Sequence, residues 1–292
     1  MFDNINCNTE RNQQKADNTM DKKLLTIQDI SCFGQCSLTV ALPVISACGI
    51  ETVILPSAVL STHTAGFTGY TFRDLTGDMA DIEKSWIANN LKFDAFYTGY
   101  VCESQIDPIL HIMESCAADG ALRIVDPVMA DHGKMYPGFG EDFPKQMRRL
   151  CNGADYLLPN LTEAAFLLGE ECRLEGYDRA YIEGLVERLH STGAKNIVLT
   201  GVSYEPGLLG CAVSDGNKIE YDFNKRLTRS SHGTGDLFAS VFAGALMRGK
   251  SGLESAAIAA DAVCLAIEAT PDEHWYGVCF EKIIPELTTL LK

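Results

Sequence analysis

The pentapeptide His232-Gly233-Thr234-Gly235-Asp236 runs straight into an apolar segment, Leu237–Met247. Two glycines let successive backbone N–H groups converge, and the N-terminus of a following helix adds partial positive charge. That combination suits an anion whose charge changes during a reaction. Asp236 stands at the start of the same helix, where its carboxylate can accept a hydroxyl proton as a phosphoryl group transfers. The helix dipole is expected to lower its proton affinity, which a loose transition state with late proton loss tolerates. The plainer reading is a helix capped behind a glycine turn, since Thr-Gly-Asp before a helix is not rare.

Further polar residues interrupt apolar runs at regular intervals. Gln28-Asp29-Ile30-Ser31 follows the first such run. Ala58-Val59-Leu60-Ser61-Thr62-His63-Thr64, Thr98-Gly99-Tyr100 and Asp126-Pro127-Val128-Met129-Ala130-Asp131 follow later ones, then Pro159-Asn160-Leu161-Thr162-Glu163 and Thr200-Gly201. Each has a bland alternative. Asp126-Pro127 can simply stop a strand. Asn160 to Glu163 can be a capping arrangement, with Thr162 as N-cap and Glu163 favouring the first turn. Tyr100 can be strand-end packing. A lone histidine such as His63 is more often structural than catalytic, and the other histidines show no metal-ligand spacing.

The elements that would carry these residues alternate between strand and helix. Strands are expected at Leu24–Gln28, Thr52–Leu55, Ala95–Thr98, Leu122–Val125, Tyr156–Leu158 and Asn196–Leu199. Helices are expected at Ser37–Ala47, Met79–Leu91, Ile106–Ala118, Phe143–Leu150, Glu163–Leu168 and Arg179–Leu189, then at Leu237–Met247, Ser255–Glu268 and Phe280–Leu291. Pro43 should kink the first helix or mark a late start, and Gly120 should lie just past the end of the third. Gly207–Val213 and Lys218–Phe223 flank Ser-Asp-Gly-Asn, a hairpin signal. Short strands without strict alternation indicate burial on both faces. The expected architecture is α/β: a mostly parallel sheet wrapped by helices with right-handed crossovers. In such a sheet ligands sit beyond the carboxyl ends of the strands, where the polar interruptions fall. No linker or internal repeat divides the chain, so residues 23–292 read as one domain behind a flexible polar extension, residues 1–22. Met20 is a second possible start.

Composition narrows the partners. With 292 residues and 46% apolar content, the chain can fill a sizeable core. A formal net charge of −15 repels phosphate backbones and anionic lipid, so neither nucleic acid nor membrane is an expected partner. The 11 cysteines are scattered and odd in number, without a Cys-x-x-Cys pair. That argues against a disulfide framework or a zinc ribbon and suits a reduced, cytoplasmic setting. The apolar stretch 41–60 is broken by Pro43, Gly49, Glu51 and Pro56, unlike a membrane span. No signal peptide is evident at residues 1–23. A P-loop, a Gly-x-Gly-x-x-Gly fingerprint, a His-Glu-x-x-His helix and a Gly-x-Ser-x-Gly elbow are not expected.

Gly-Thr-Gly-Asp opening a late helix resembles the signature of the ribokinase-like kinases. From about Leu24 to the C-terminal helices the order of motifs resembles the pyridoxal/pyridoxamine kinases within them. The matches are the Ser61–Thr64 loop, Thr98-Gly99-Tyr100, Asp126-Pro127-Val128-x-x-Asp131 and Pro159-Asn160-x-x-Glu163. The resemblance implies a ribokinase-like three-layer sandwich and ATP-dependent phosphorylation of the 5′-hydroxymethyl group of a B6 vitamer. It implies Asp236 as general base, with Gly233, Thr234 and Gly235 as the anion hole. Magnesium would be held by Asn160 and Glu163, largely through water, with Asp126 and Asp131 lining the phosphate and metal region. Thr200 and Gly201 would approach ATP. Asp29, Ser31, Val59, His63, Thr64 and Tyr100 would face the substrate. Potassium as a second cation and a homodimer are further expectations of the family. The chain departs from the pattern at Asp29, where the pyridoxal kinases commonly carry the serine of a Gln-Ser pair. Asp-x-Ser followed by glycine looks more like the hydroxymethylpyrimidine kinases of thiamine synthesis. There the carboxylate would pair with a cationic or N–H-bearing ring substituent. A hydroxymethylpyrimidine kinase and a non-catalytic vitamer-binding protein therefore remain alternatives.

Overall fold

A computed structural model describes residues 22–229 and 231–292. The expected extension falls almost wholly outside them. Among the described residues nine strands form one sheet. In chain order these are β1 (Lys23–Ser31), β2 (Glu51–Leu60), β3 (Phe72–Asp74), β4 (Phe93–Thr98) and β5 (Ala117–Val125), then β8 (Tyr156–Leu157), β9 (Asn196–Val202), β10 (Leu208–Ser214) and β11 (Ile219–Lys225). Across the sheet the order is β11-β10-β9-β8-β5-β4-β1-β2-β3. The central strands from β9 to β2 are parallel, while at the two edges β3 pairs antiparallel with β2, β10 with β9 and β11 with β10. A two-residue hairpin, β6 (Ala130–Asp131) with β7 (Lys134–Met135), stands apart from the sheet.

The strands are apolar in near-continuous runs because both faces are covered. Leu25, Ile27, Val125, Ile197 and Leu199 point into one core. It is closed by α2 (Thr76–Ala88), α3 (Ile106–Ser115), α4 (Phe143–Cys151), α5 (Leu161–Leu168) and α6 (Arg179–Leu189). Leu24, Ala95, Tyr97, Ile124 and Val198 point into the other, closed by α1 (Leu38–Ala47), α7 (Thr234–Met247), α8 (Gly252–Ala269) and α9 (Ile284–Leu290). The period-two switch between adjacent residues fills two cores from one strand, and the result is the three-layer sandwich expected.

Several expectations need correcting. Helix α1 starts at Leu38 and runs on through Pro43 to Ala47, so the proline does not set a late start. Helix α3 stops at Ser115, and Gly120 lies inside β5 rather than past a helix. With φ at 75°, it lets Ala118–Ala121 loop out, so β4 pairs Phe93 with Ala117 and then Ala95 with Leu122. Strand β2 continues past Pro56, whose missing N–H costs nothing because β3 pairs only with Ala58–Leu60. The last helix is split into a 3₁₀ turn and α9, with Pro285 in the first turn of α9. The P-loop spelling does occur, at Gly244–Ser251. However, Gly244 lies inside α7, and Ser251 is the N-cap of α8, with its hydroxyl accepting from the Glu254 N–H. No strand precedes it, so it is helix and turn rather than a phosphate cradle. Among the described residues no helix is long and apolar enough to cross a membrane.

Candidate active site

Because β1, β4, β5, β8 and β9 are parallel, Asp29, Gly99, Asp126, Asn160 and Thr200 all lie at one end of the sheet. The N-terminus of α7 closes over this end. Gly233 is its N-cap, left-handed at φ 76°, and no side chain among the described residues caps the helix. A β-carbon on Gly233 would meet the Gln35 carbonyl oxygen at 2.0 Å, so both the backbone angle and the close approach demand glycine. Open space surrounds Gly235 where a side chain would project. The first turn therefore presents its N–H groups to the cleft.

Asp236 sits half-buried in that turn, with the Ser37 N–H bearing on its carboxylate. Loss of water pushes its carboxyl up to about 7, the Ser37 bond pulls it down and nearby Asp29 adds to the rise. The expected lowering by the helix dipole is overridden by burial, which leaves a better base than a surface aspartate. Asp126, buried on the adjacent strand end, is held well above the ordinary carboxylate range by burial, then by Glu163 and Asp236. Glu163 is buried and raised by burial against three backbone N–H donors, those of Asn160, Met129 and Ala130. Among the described residues, none of the ion pairs involves Asp29, Asp126, Glu163 or Asp236.

Asn160 is the N-cap of α5, in place of Thr162. Its side-chain oxygen accepts from Thr162 N–H at 2.8 Å and Glu163 N–H at 2.9 Å, and its amide donates to Ala130 O at 2.9 Å. Glu163 returns the bond through Oε2 to Asn160 N–H, 2.9 Å, and accepts Met129 N–H on Oε1, 3.2 Å. The capping reading is thus realised as a reciprocal box, and it does not exclude a neighbouring cation. Thr200 bridges to Asn160 across the strand ends, and Gly201 lies exposed at φ 79° beside the Tyr177 hydroxyl. Asp131 is exposed at the tip of the β6–β7 hairpin. Tyr136, just beyond β7, has its phenol held up by burial first and then by the charges of Glu163, Asp131, Asp126 and Asp236.

On the other side of Asp236, Asp29 is buried and takes the Ser37 hydroxyl at 2.5 Å and the Ser31 hydroxyl at 3.3 Å. Val59, half-buried on β2, pairs with Ile30. His63 is a strut. Its Nδ1 accepts from Ala65 N–H at 3.2 Å, so Nε2 carries the proton toward Tyr276 O at 2.9 Å. Its ring also lies 5.4 Å from that of His232. Tyr100 packs against Phe139, ring centroids 5.2 Å apart. Thr64 is exposed and joins none of these groups. Ser37, Cys36 and Tyr136 were not singled out in the sequence. Cys36 lies by Asp236 and Asp29, its thiol driven up first by burial and then by those two carboxylates. A serine or tyrosine in a loop carries no local signal of a contact made across the fold.

An α/β sandwich with an uncapped glycine-flanked helix start and an aspartate in its first turn defines a ribokinase-like kinase, a phosphotransferase with an alcohol group as acceptor. The model of the phosphomethylpyrimidine kinase family matches residues 38–277, and the chain belongs to that family. Within it, a putative phosphomethylpyrimidine kinase of Bacteroides thetaiotaomicron, crystallised with pyridoxal, is 32% identical. That likeness covers 91% of this chain and 96% of that one with a TM-score of 0.86. Pyridoxal kinase of Lactobacillus plantarum is 31% identical, covering 92% of this chain and 97% of its own, with a TM-score of 0.84. Pyridoxal kinase of Dictyostelium discoideum is 25% identical over 245 residues, 77% of this chain and 78% of that protein.

Proposed function

We propose that the protein transfers the γ-phosphoryl group of ATP to the 5′-hydroxymethyl group of a B6 vitamer. The observation that carries the reading is Asp236, a carboxylate raised to about 7 in the uncapped first turn of α7. The pyridoxal-bound relative, at 32% identity, supports the acceptor. The vitamer would lie between the Asp29–Ser31 strand end, Val59, His63, Thr64 and Tyr100. ATP would extend from Asn160 through Thr200 and Gly201 to Asp126 and Asp131. As the hydroxymethyl oxygen bonds to the γ-phosphorus, the bond to the ADP oxygen breaks and the hydroxyl proton passes to Asp236. Gly233, Thr234 and Gly235 aim N–H groups at the phosphoryl oxygens, so fixed dipoles meet the developing charge.

Magnesium fits the residues present. Asp126, Glu163 and Asp236 press negative charge on one another without a cation partner among the described residues. Hard carboxylate oxygens suit that ion. Glu163 and Asn160 are already committed to backbone bonds, so they would hold it through water, with Asp126 offering the freer carboxylate. Bound there, the ion neutralises phosphate charge. The proposal also covers a single domain over residues 23–292, a cytoplasmic location, a homodimer and a use of potassium.

The family's name favours a second acceptor, hydroxymethylpyrimidine. ATP-dependent phosphorylation of pyridoxal, pyridoxamine, pyridoxine and hydroxymethylpyrimidine, measured side by side with magnesium and with or without potassium, tests both. Turnover of a B6 vitamer supports the first reading. Turnover of the pyrimidine alone moves the protein to the second, and silence on all four refutes both.

A further inference from the structure

We propose that Ser37 and Asp29 are positioning residues for Asp236, a brace that sets where the carboxylate stands when it takes the proton. This rests on Asp236 being the base of the proposed function.

Ser37 adopts φ 55° and ψ −130°, a region that a residue with a β-carbon avoids. Such a conformation persists only where the surroundings hold it. Here three contacts do so. The hydroxyl donates to Asp29 Oδ1 at 2.5 Å. The carbonyl accepts the N–H groups of Val40 and Ala41 at 3.0 and 2.9 Å, which starts α1. The backbone bridges to Ile30, next to Asp29 on β1. These contacts hold Ser37 in a segment that lies against the first turn of α7, where a β-carbon on Gly233 would meet Gln35 O at 2.0 Å and Cys36 Sγ at 3.9 Å, and the Ser37 N–H is the backbone donor that bears on Asp236.

Asp29 is the other half of the device. It is 6% exposed, and both of its oxygens are taken by serine hydroxyls, Ser37 and Ser31. Its hydrogen bonds therefore run inward to the brace. That assigns the departure from the family pattern a different part from the one its position suggested. Asp29 holds Ser37 in place, rather than gripping a ring substituent of the substrate.

The test uses the full chain with whichever acceptor the wild type turns over best. Ser37→Ala and Asp29→Ala each release the brace. Each should lower kcat roughly ten- to a hundredfold, because a small displacement of a reacting group costs that much. KM for ATP and for the acceptor should stay within about twofold. Ser37→Gly accepts the same backbone angle without strain and so guards against misfolding, but it lacks the hydroxyl anchor; it should lose kcat as well. Asp29→Asn keeps an acceptor oxygen for Ser37 and should recover most of the activity. The double variant Asp29→Ala with Ser37→Ala should be no slower than the slower single, since both act through one contact. Near-normal kcat in Ser37→Gly overturns the brace. So does an Asp29→Ala variant that keeps kcat but reorders KM among the vitamers, because then Asp29 touches substrate. A wild type silent on every acceptor overturns the functional reading itself, and the brace with it, a result distinct from normal variants of an active enzyme.

Discussion

Helices α5 and α7 both begin at the working end of the sheet, and they treat their first turns in opposite ways. At α5, Asn160 and Glu163 satisfy each other's backbone donors, and the β6–β7 hairpin is tied on through Gly133 N–H to Thr162 Oγ1 at 3.0 Å. At α7 a left-handed glycine stands where a capping side chain would be, and the first turn faces the cleft. The closed start stabilises the protein by itself. The open start stays incompletely satisfied until an anion arrives, which is the property a phosphoryl-transfer site needs. Sequence shows both as a polar motif before an apolar run. The chemical difference lies in whether a side chain turns back onto the helix.

Substitutions can break that contrast. Asp236→Ala should lower kcat by about 10³-fold or more while ATP still binds, which steady-state kinetics beside nucleotide titration will show. A small loss would remove Asp236 from the base role. In the wild type, kcat should fall about tenfold per pH unit below about 7, as the Asp236 carboxylate gains its proton. Stability runs the other way. A carboxyl raised above its unfolded value of 3.8 binds more protons in the folded state, so stability declines as pH rises from about 4 to about 7. Asp236→Asn should therefore raise the Tm relative to wild type at pH 8 and not at pH 4, although it is inactive; equal shifts at both would contradict the raised pKa.

Gly233→Ala forces a β-carbon against the Gln35 carbonyl at an angle alanine resists. A loss of about 1–3 kcal/mol in stability, with at least tenfold lower kcat, is expected by denaturant titration and assay. The gentlest change is Asn160→Ala. Losing an N-cap costs about 1 kcal/mol, read as a lower Tm. Its kcat should fall less than that of Gly233→Ala, and the reverse order would mean that the closed start matters more to chemistry than the open one.

The central architecture was legible because burial on both faces leaves uninterrupted apolar runs such as Leu24–Gln28 and Asn196–Leu199. Helix α7 announced itself through Gly233–Asp236. The exposed edge strand β3 was invisible, since Phe72-Arg73-Asp74 has no periodicity to read and owes its form to pairing with Ala58–Leu60. Gly120 resembled a helix stop because a bulge and a helix end ask the same of a glycine. Within the site, carboxylates were legible by type and order. Their braces were not: Ser37 reaches Asp236 across 199 positions of chain, and no local propensity encodes that contact. The rise of Asp236 above the helix-dipole expectation comes likewise from depth in the fold rather than from its neighbours in sequence.

Gly244, near the end of α7, stands at a contact that matters. A β-carbon there would come within 2.5 Å of Cys48 Sγ, so α1 and α7 touch closely where α7 passes the end of α1. Both helices start at the cleft, α1 from Ser37 and α7 from the turn holding Asp236. They lie like two arms of tongs that meet near Cys48, with Asp236 and Ser37 at the tips. A bulkier residue at the joint, far from any reactant, would spread the arms and part the tips.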